Sequence, residues 1–198
     1  NFAPSLGITL VHARYSRWVV DLNRDPASRP LYNDGRLITE LCPKTDFLGN
    51  EIYVDERFKP DEAEIERRTV EYYEPYHAKL RDLLDERRRE FGVACLWDAH
   101  SIRRVVPTIQ KDPFPDLILG DNDGRASSSA ISNAAANALS SGKFGHSRNF
   151  PFKGGHITRS FGDPGNGVHA LQVEMSKTNY MNDAEDEFDE TRANEVRA

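Results

Sequence analysis

Residues 95–104 of this chain run Cys95-Leu96-Trp97-Asp98-Ala99-His100-Ser101-Ile102-Arg103-Arg104. An apolar run over 93–97 reads as a buried strand. It gives way at once to an acid, an imidazole, a hydroxyl and two guanidiniums. Ligands of open α/β sheets gather at the carboxyl ends of strands. A histidine there can bind metal, act as a base or simply hold structure by a hydrogen bond. Asp98 and His100 are two apart, so an extended backbone points them the same way. Two further positions share this placement. Arg24 follows an apolar run and precedes a loop, which suits a planar carboxylate clamp, although position alone favours a surface ion pair. Glu174 ends the apolar run of 168–175, where a raised pKa would suit a general base; a buried acid paired with an arginine is the bland alternative. His77, His156 and His169 read as packing or turn histidines.

The elements that must position these groups alternate along the chain. Residues 8–13, 17–22, 93–97, 116–120 and 168–175 read as strands. Residues 26–59 form a long polar excursion with apolar anchors at Leu31, Tyr32, Leu41, Phe47, Ile52 and Tyr53. Asp61 and Glu64 open the clearest helix with a capping box, and Gly92 closes it. Pro75 should bend or split that helix, because it removes a backbone donor. Residues 101–115 read as loop, 127–140 as a helix, 142–155 as irregular and 185–197 as a terminal helix. This alternation predicts a single α/β domain over 1–198: a three-layer sandwich with a mixed, largely parallel sheet of the phosphorylase/hydrolase type.

The chain has 198 residues, with 32 acidic against 26 basic side chains and a formal charge of -6. That balance argues against a nucleic-acid partner. No apolar run could span a bilayer and no secretory signal opens the chain, so a cytoplasmic protein with no membrane partner is expected. Two cysteines, Cys42 and Cys95, are too few for a disulfide scaffold. Cys95 is expected in the core. The opening Asn1 and the acidic amphipathic close suggest a chain cut short at the front and slightly at the back. Nucleophile elbow, P-loop, dinucleotide fingerprint and His-Glu-x-x-His are all absent from the sequence.

Taken together and in order, six segments resemble the N-formylglutamate amidohydrolase (N-formylglutamate deformylase) family. They are 19–24, 41–43, 75–77, 96–103, 153–159 and 167–174. The family is in turn similar to the zinc carboxypeptidases and succinylglutamate desuccinylases. The resemblance implies a Zn2+-dependent hydrolase that splits N-formyl-L-glutamate into formate and L-glutamate in histidine degradation. It implies His100 as a metal ligand, Asn23 and Arg24 as the grip on a substrate carboxylate, and Glu174 as the carboxylate that activates water. The substrate has two carboxylates, so a second cation is expected, with Arg103 and Arg159 ahead of Arg104; Tyr180 is a candidate cover. The Pro-His-x-Gly-like segment that carries the family's other metal ligands has no match before His100. Two rival readings are a chain that only binds acidic amino acids and a hydrolase of another N-acyl amino acid.

Overall fold

The computed structural model describes residues 3–32, 35–36 and 39–197. Its longest helical stretch begins where the capping box places it. The Asp61 carboxylate accepts the Glu64 N–H at 2.8 Å, and helix α1 runs Glu62–Arg68. Pro75 has the expected effect. The helix is split by a π-helical turn over Thr69–Tyr73 and resumes as α2, Glu74–Phe91. A π-turn re-pairs carbonyls that proline cannot serve. Gly92 ends α2 at φ 74°, the left-handed conformation that glycine adopts without a side-chain clash.

Four strands follow: β1 Ala94–Ile102, β2 Leu117–Gly120, β3 His146–Arg148 and β4 Val168–Ser176. Between them lie α3, Ser129–Ser140, and the short α4, His156–Phe161. The last element is α5, Glu190–Arg197. The sheet order is β1-β4-β2-β3. β1 and β4 are parallel, as are β2 and β3, while β2 and β4 are antiparallel. The sheet is therefore mixed and mostly parallel, as expected.

Strand alternation assigns the two faces. Val168, Gln172 and Glu174 share one face with their register partners Ala94, Asp98 and His100. At the amino end of that face, Ala94 and Val168 pack on Leu80 and Leu84 of α2 and on Ile157 and Phe161 of α4. Leu171 and Val173 point the other way, with Leu117 and Leu119, against Ile131, Ala135 and Leu139 of α3. Helices thus cover both faces, which gives the three layers. Among the described residues no helix is long and apolar enough to cross a membrane.

Several local expectations need correction. Residues 8–13 and 17–22 join no strand ladder. In the second segment the backbone groups find other partners. Asp21 N–H donates to the Leu41 carbonyl at 2.7 Å, Arg68 Nη1 donates to the Val19 carbonyl at 2.8 Å, and Val20 packs with Leu41, Cys42 and Tyr73. Tertiary partners satisfy the segment without a sheet. β1 is longer than 93–97, so Ser101 and Ile102 lie in the strand, not in a loop. It is also an edge strand, which leaves Cys95 exposed rather than in the core. β3 and α4 fall in stretches read as irregular or as bare motif. α5 starts at Glu190, not at 185, because Asn182 folds residues 182–187 into a turn through its side chain.

Candidate functional site

His100 and Glu174 are register partners at the carboxyl ends of parallel neighbours β1 and β4. Adjacent strands lie about 5 Å apart, so the two side chains stand beside each other on one face. One residue pair back, Asp98 stands beside Gln172. Asp98 Oδ1 lies 2.7 Å from His100 Nε2. A carboxylate only accepts, so this contact places the ring proton on Nε2 and leaves the Nδ1 lone pair for another partner. Gln172 Nε2 donates to Glu174 Oε1 at 3.0 Å.

Asn23 ties the two strands together. Its Nδ2 lies 3.0 Å from His100 Nε2, 3.3 Å from Asp98 Oδ2 and 3.4 Å from Gln172 Oε1. Its Oδ1 accepts the Ile157 N–H at 2.7 Å. This position requires glycine at 155, since a Cβ there would fall on the Asn23 amide. Asn23 is 8% exposed and its amide is committed to protein groups. Two side chains of the helical stretch hold its loop from behind. Tyr73 Oη donates to the Arg24 carbonyl at 2.9 Å, and His77 Nε2 donates to the Leu22 carbonyl at 2.9 Å.

Arg24 lies on the same cavity as His100 and Glu174. Its Nε and Nη2 donate to Thr39 Oγ1 at 3.1 and 2.7 Å. Arg17, which the sequence reading passed over, lines the cavity too. Its Nη2 reaches Asp21 Oδ2 at 2.7 Å. The only sequence signal for Arg17 was its place four residues before Asp21, and reading 17–22 as a strand hid it.

The cavity measures about 960 Å³. Trp18, Phe47, Ile102, Val106 and Phe152 add apolar surface to its lining. The other expected cations divide between the cavity and the scaffold around it. Arg103 lies on the cavity lining, with Nε on the Glu185 carboxylate at 2.8 Å. Arg104 also lines it but pairs with Asp116. Arg159 is absent from the lining; it donates to the Gly154 and Leu31 carbonyls at 3.0 and 2.9 Å and covers the Tyr32 ring. Tyr180 is absent from the lining, and its Oη lies 2.7 Å from Oγ of the lining residue Ser101.

The electrostatics follow from this geometry. Burial raises the pKa of Glu174, and His100 and Arg17 offset only part of that rise. Burial pulls the His100 ring down, but the hydrogen bond and charge of Asp98, with Glu174 beside it, push it above the ordinary value. Burial lowers Arg24 against the pull of Asp21.

A catalytic zinc takes three protein ligands and keeps one open position. Among the described residues no three His, Cys, Asp or Glu side chains converge as a metal-holding group. His100 is a suitable single donor, and its Asp98 contact is the kind that orients a ligating ring. These residues do not by themselves fit a complete zinc site.

A mixed sheet with an imidazole and a carboxylate at its strand ends, and two arginines on the same cavity, defines a protein of the hydrolytic α/β class. The chain belongs to the N-formylglutamate amidohydrolase family, whose model matches residues 1–181. It is 39% identical over 186 residues to an N-formylglutamate deformylase of Pseudomonas putida, covering 93% of this chain and 68% of that protein. A Pseudomonas aeruginosa protein of the same name is 41% identical over 185 residues, covering 92% and 68%. The crystal structure of N-formylglutamate amidohydrolase from Ralstonia eutropha JMP134 superposes with a TM-score of 0.79 at 26% identity, covering 98% of this chain and 74% of that one. A gene product from Agrobacterium tumefaciens shares the fold, with a TM-score of 0.65 at 21% identity over 93% of this chain and 65% of that chain.

Proposed function

We propose that this protein is a deformylase of N-formyl-L-glutamate, releasing formate and L-glutamate. The observation that carries the reading is the register pairing of His100 with Glu174, opening on one cavity with Arg24. Arg24 takes one substrate carboxylate and Arg103 the other. Glu174, its pKa raised by burial, accepts a proton from the attacking water. The water oxygen bonds to the formyl carbon, and Arg17 faces the negative charge that develops on the formyl oxygen. The carbon–nitrogen bond then breaks, and Glu174 returns the proton to the departing amine. Asn23 serves this chemistry indirectly, by donating to Asp98, which orients His100, and to Gln172. We assign His100 as one donor toward a zinc ion. Among the described residues one donor does not complete a catalytic zinc site; the roles assigned to Arg24, Arg103, Arg17 and Glu174 are those of this chain's own side chains.

Formate release from N-formyl-L-glutamate, measured with zinc supplied, tests the reading. Glu174→Gln should keep ligand binding and lower turnover by roughly 10²–10⁴. Undiminished turnover would remove Glu174 from the mechanism. The incomplete donor set favours a second reading, a binder of acidic amino acids. Binding of N-formyl-L-glutamate without zinc uptake or formate release would establish that reading instead; absence of binding would end both.

A further inference from the structure

Asp21 is 3% exposed and precedes the Asn23-Arg24 pair. It does not line the cavity, so it does not reach a ligand there. Its Oδ2 lies 2.7 Å from Arg17 Nη2 and 3.4 Å from Arg24 Nε. Its Oδ1 accepts the Asn23 N–H at 3.1 Å. Its own N–H is fixed to the Leu41 carbonyl. One buried, anchored oxygen therefore faces two guanidiniums that both line the cavity.

Two like charges on one wall repel, and long side chains would separate them. A shared carboxylate fixes their spacing and leaves one net positive charge turned to the cavity. Thr39, 2% exposed, adds a second restraint on Arg24 alone. With Thr39 on Nε and Nη2, Arg24 Nη1 has no hydrogen-bond partner among the described residues. Arg17 is kept in plane from another side, with its guanidinium 5.0 Å over the Phe47 ring.

We infer that Asp21 is the positioning residue of a two-arginine cradle, in which Arg24 meets the carboxylate of an acidic N-acyl ligand and Arg17 meets its acyl oxygen. The inference rests on the proposed deformylase reading and deepens it. Titration calorimetry with two ligands, N-formyl-L-glutamate and L-glutamate, separates the roles. L-glutamate lacks the acyl oxygen. Thr39→Val should weaken both ligands by the same factor, several-fold, and Thr39→Ser should restore them. Asp21→Asn should weaken N-formyl-L-glutamate about tenfold or more, the scale of a lost charge-assisted hydrogen bond. It should also abolish any preference over L-glutamate, which uniform loosening of the fold would not do. If Asp21→Asn does not fold, Asp21→Glu, with its charge moved by one methylene, is read the same way. Wild-type binding with unchanged affinities in the Asp21 variant overturns the inference and leaves the deformylase reading intact. No binding of either ligand by wild type overturns both.

Discussion

His100 and Glu174 were legible because each ends an apolar run, and that pattern marks the carboxyl end of a strand. Their partners were less so. Arg17 stands in a segment whose β-branched residues imitate a strand. Its value comes only from a carboxylate four residues on. Arg103 and Arg159 looked equivalent in sequence, but the first lines the cavity and the second holds backbone carbonyls of Gly154 and Leu31. Away from the cleft, Asp121 is the most demanding single residue. It is 0% exposed and accepts from Arg148 at 2.5 Å, Asn149 at 2.6 Å and the Gly124 N–H at 3.0 Å. Burial raises its pKa, and these hydrogen bonds more than offset the rise, so the folded value lies below the ordinary one. The stability that it contributes is therefore present above the unfolded value of about 4 and is lost as pH falls through the folded value. Urea midpoints measured from pH 6 down to pH 3 should fall less steeply for Asp121→Asn than for wild type. Equal slopes would show that Asp121 does not carry the acid sensitivity.

At the scale of elements, the long helix was readable from both ends, by Asp61 at one and Gly92 at the other. Proline at 75 announced a break, and the break took the form of a π-turn. That turn presents Tyr73 and, one helical turn on, His77 to the carbonyls of Arg24 and Leu22. The ring of Tyr73 stacks on His77 at 4.1 Å. A helix that only packed would not need these two polar contacts. Tyr73→Phe keeps the ring and deletes the hydroxyl, so denaturant unfolding should show a loss of about 1 kcal/mol. A loss near zero would mean that water replaces the hydroxyl at the Arg24 carbonyl. The strands were harder to read. β3 is three residues long and polar, too short for any periodic pattern. α4 has six residues and begins after paired glycines that suggested only a turn. Residues 17–22 had the right composition for a strand, but their backbone groups are taken by Leu41 and Arg68.

The whole molecule was predicted as layers, and the layers are there. The order of its sheet was not legible, because β4 inserts between β1 and β2 from the far end of the chain. That insertion brings position 174 beside position 100, and no local pattern encodes it. The order also leaves β1 as an edge. Among the described residues β1 pairs only with β4, and its outward face shows Cys95, Ala99, Ser101 and a half-exposed Trp97. A long edge strand bearing an aromatic ring is a template for another chain. Trp97→Lys should therefore lower concentration-dependent light scattering without changing the far-ultraviolet circular dichroism. Scattering that is indifferent to the lysine would place the sticky surface elsewhere.

Anyone who handles this polypeptide in quantity inherits that border strand. The imidazole at 100 lies on it, so a neighbour that docked along the same backbone in a crowded tube would approach the cleft as well. Loss of free monomer and loss of ligand affinity should then appear in the same dilution series.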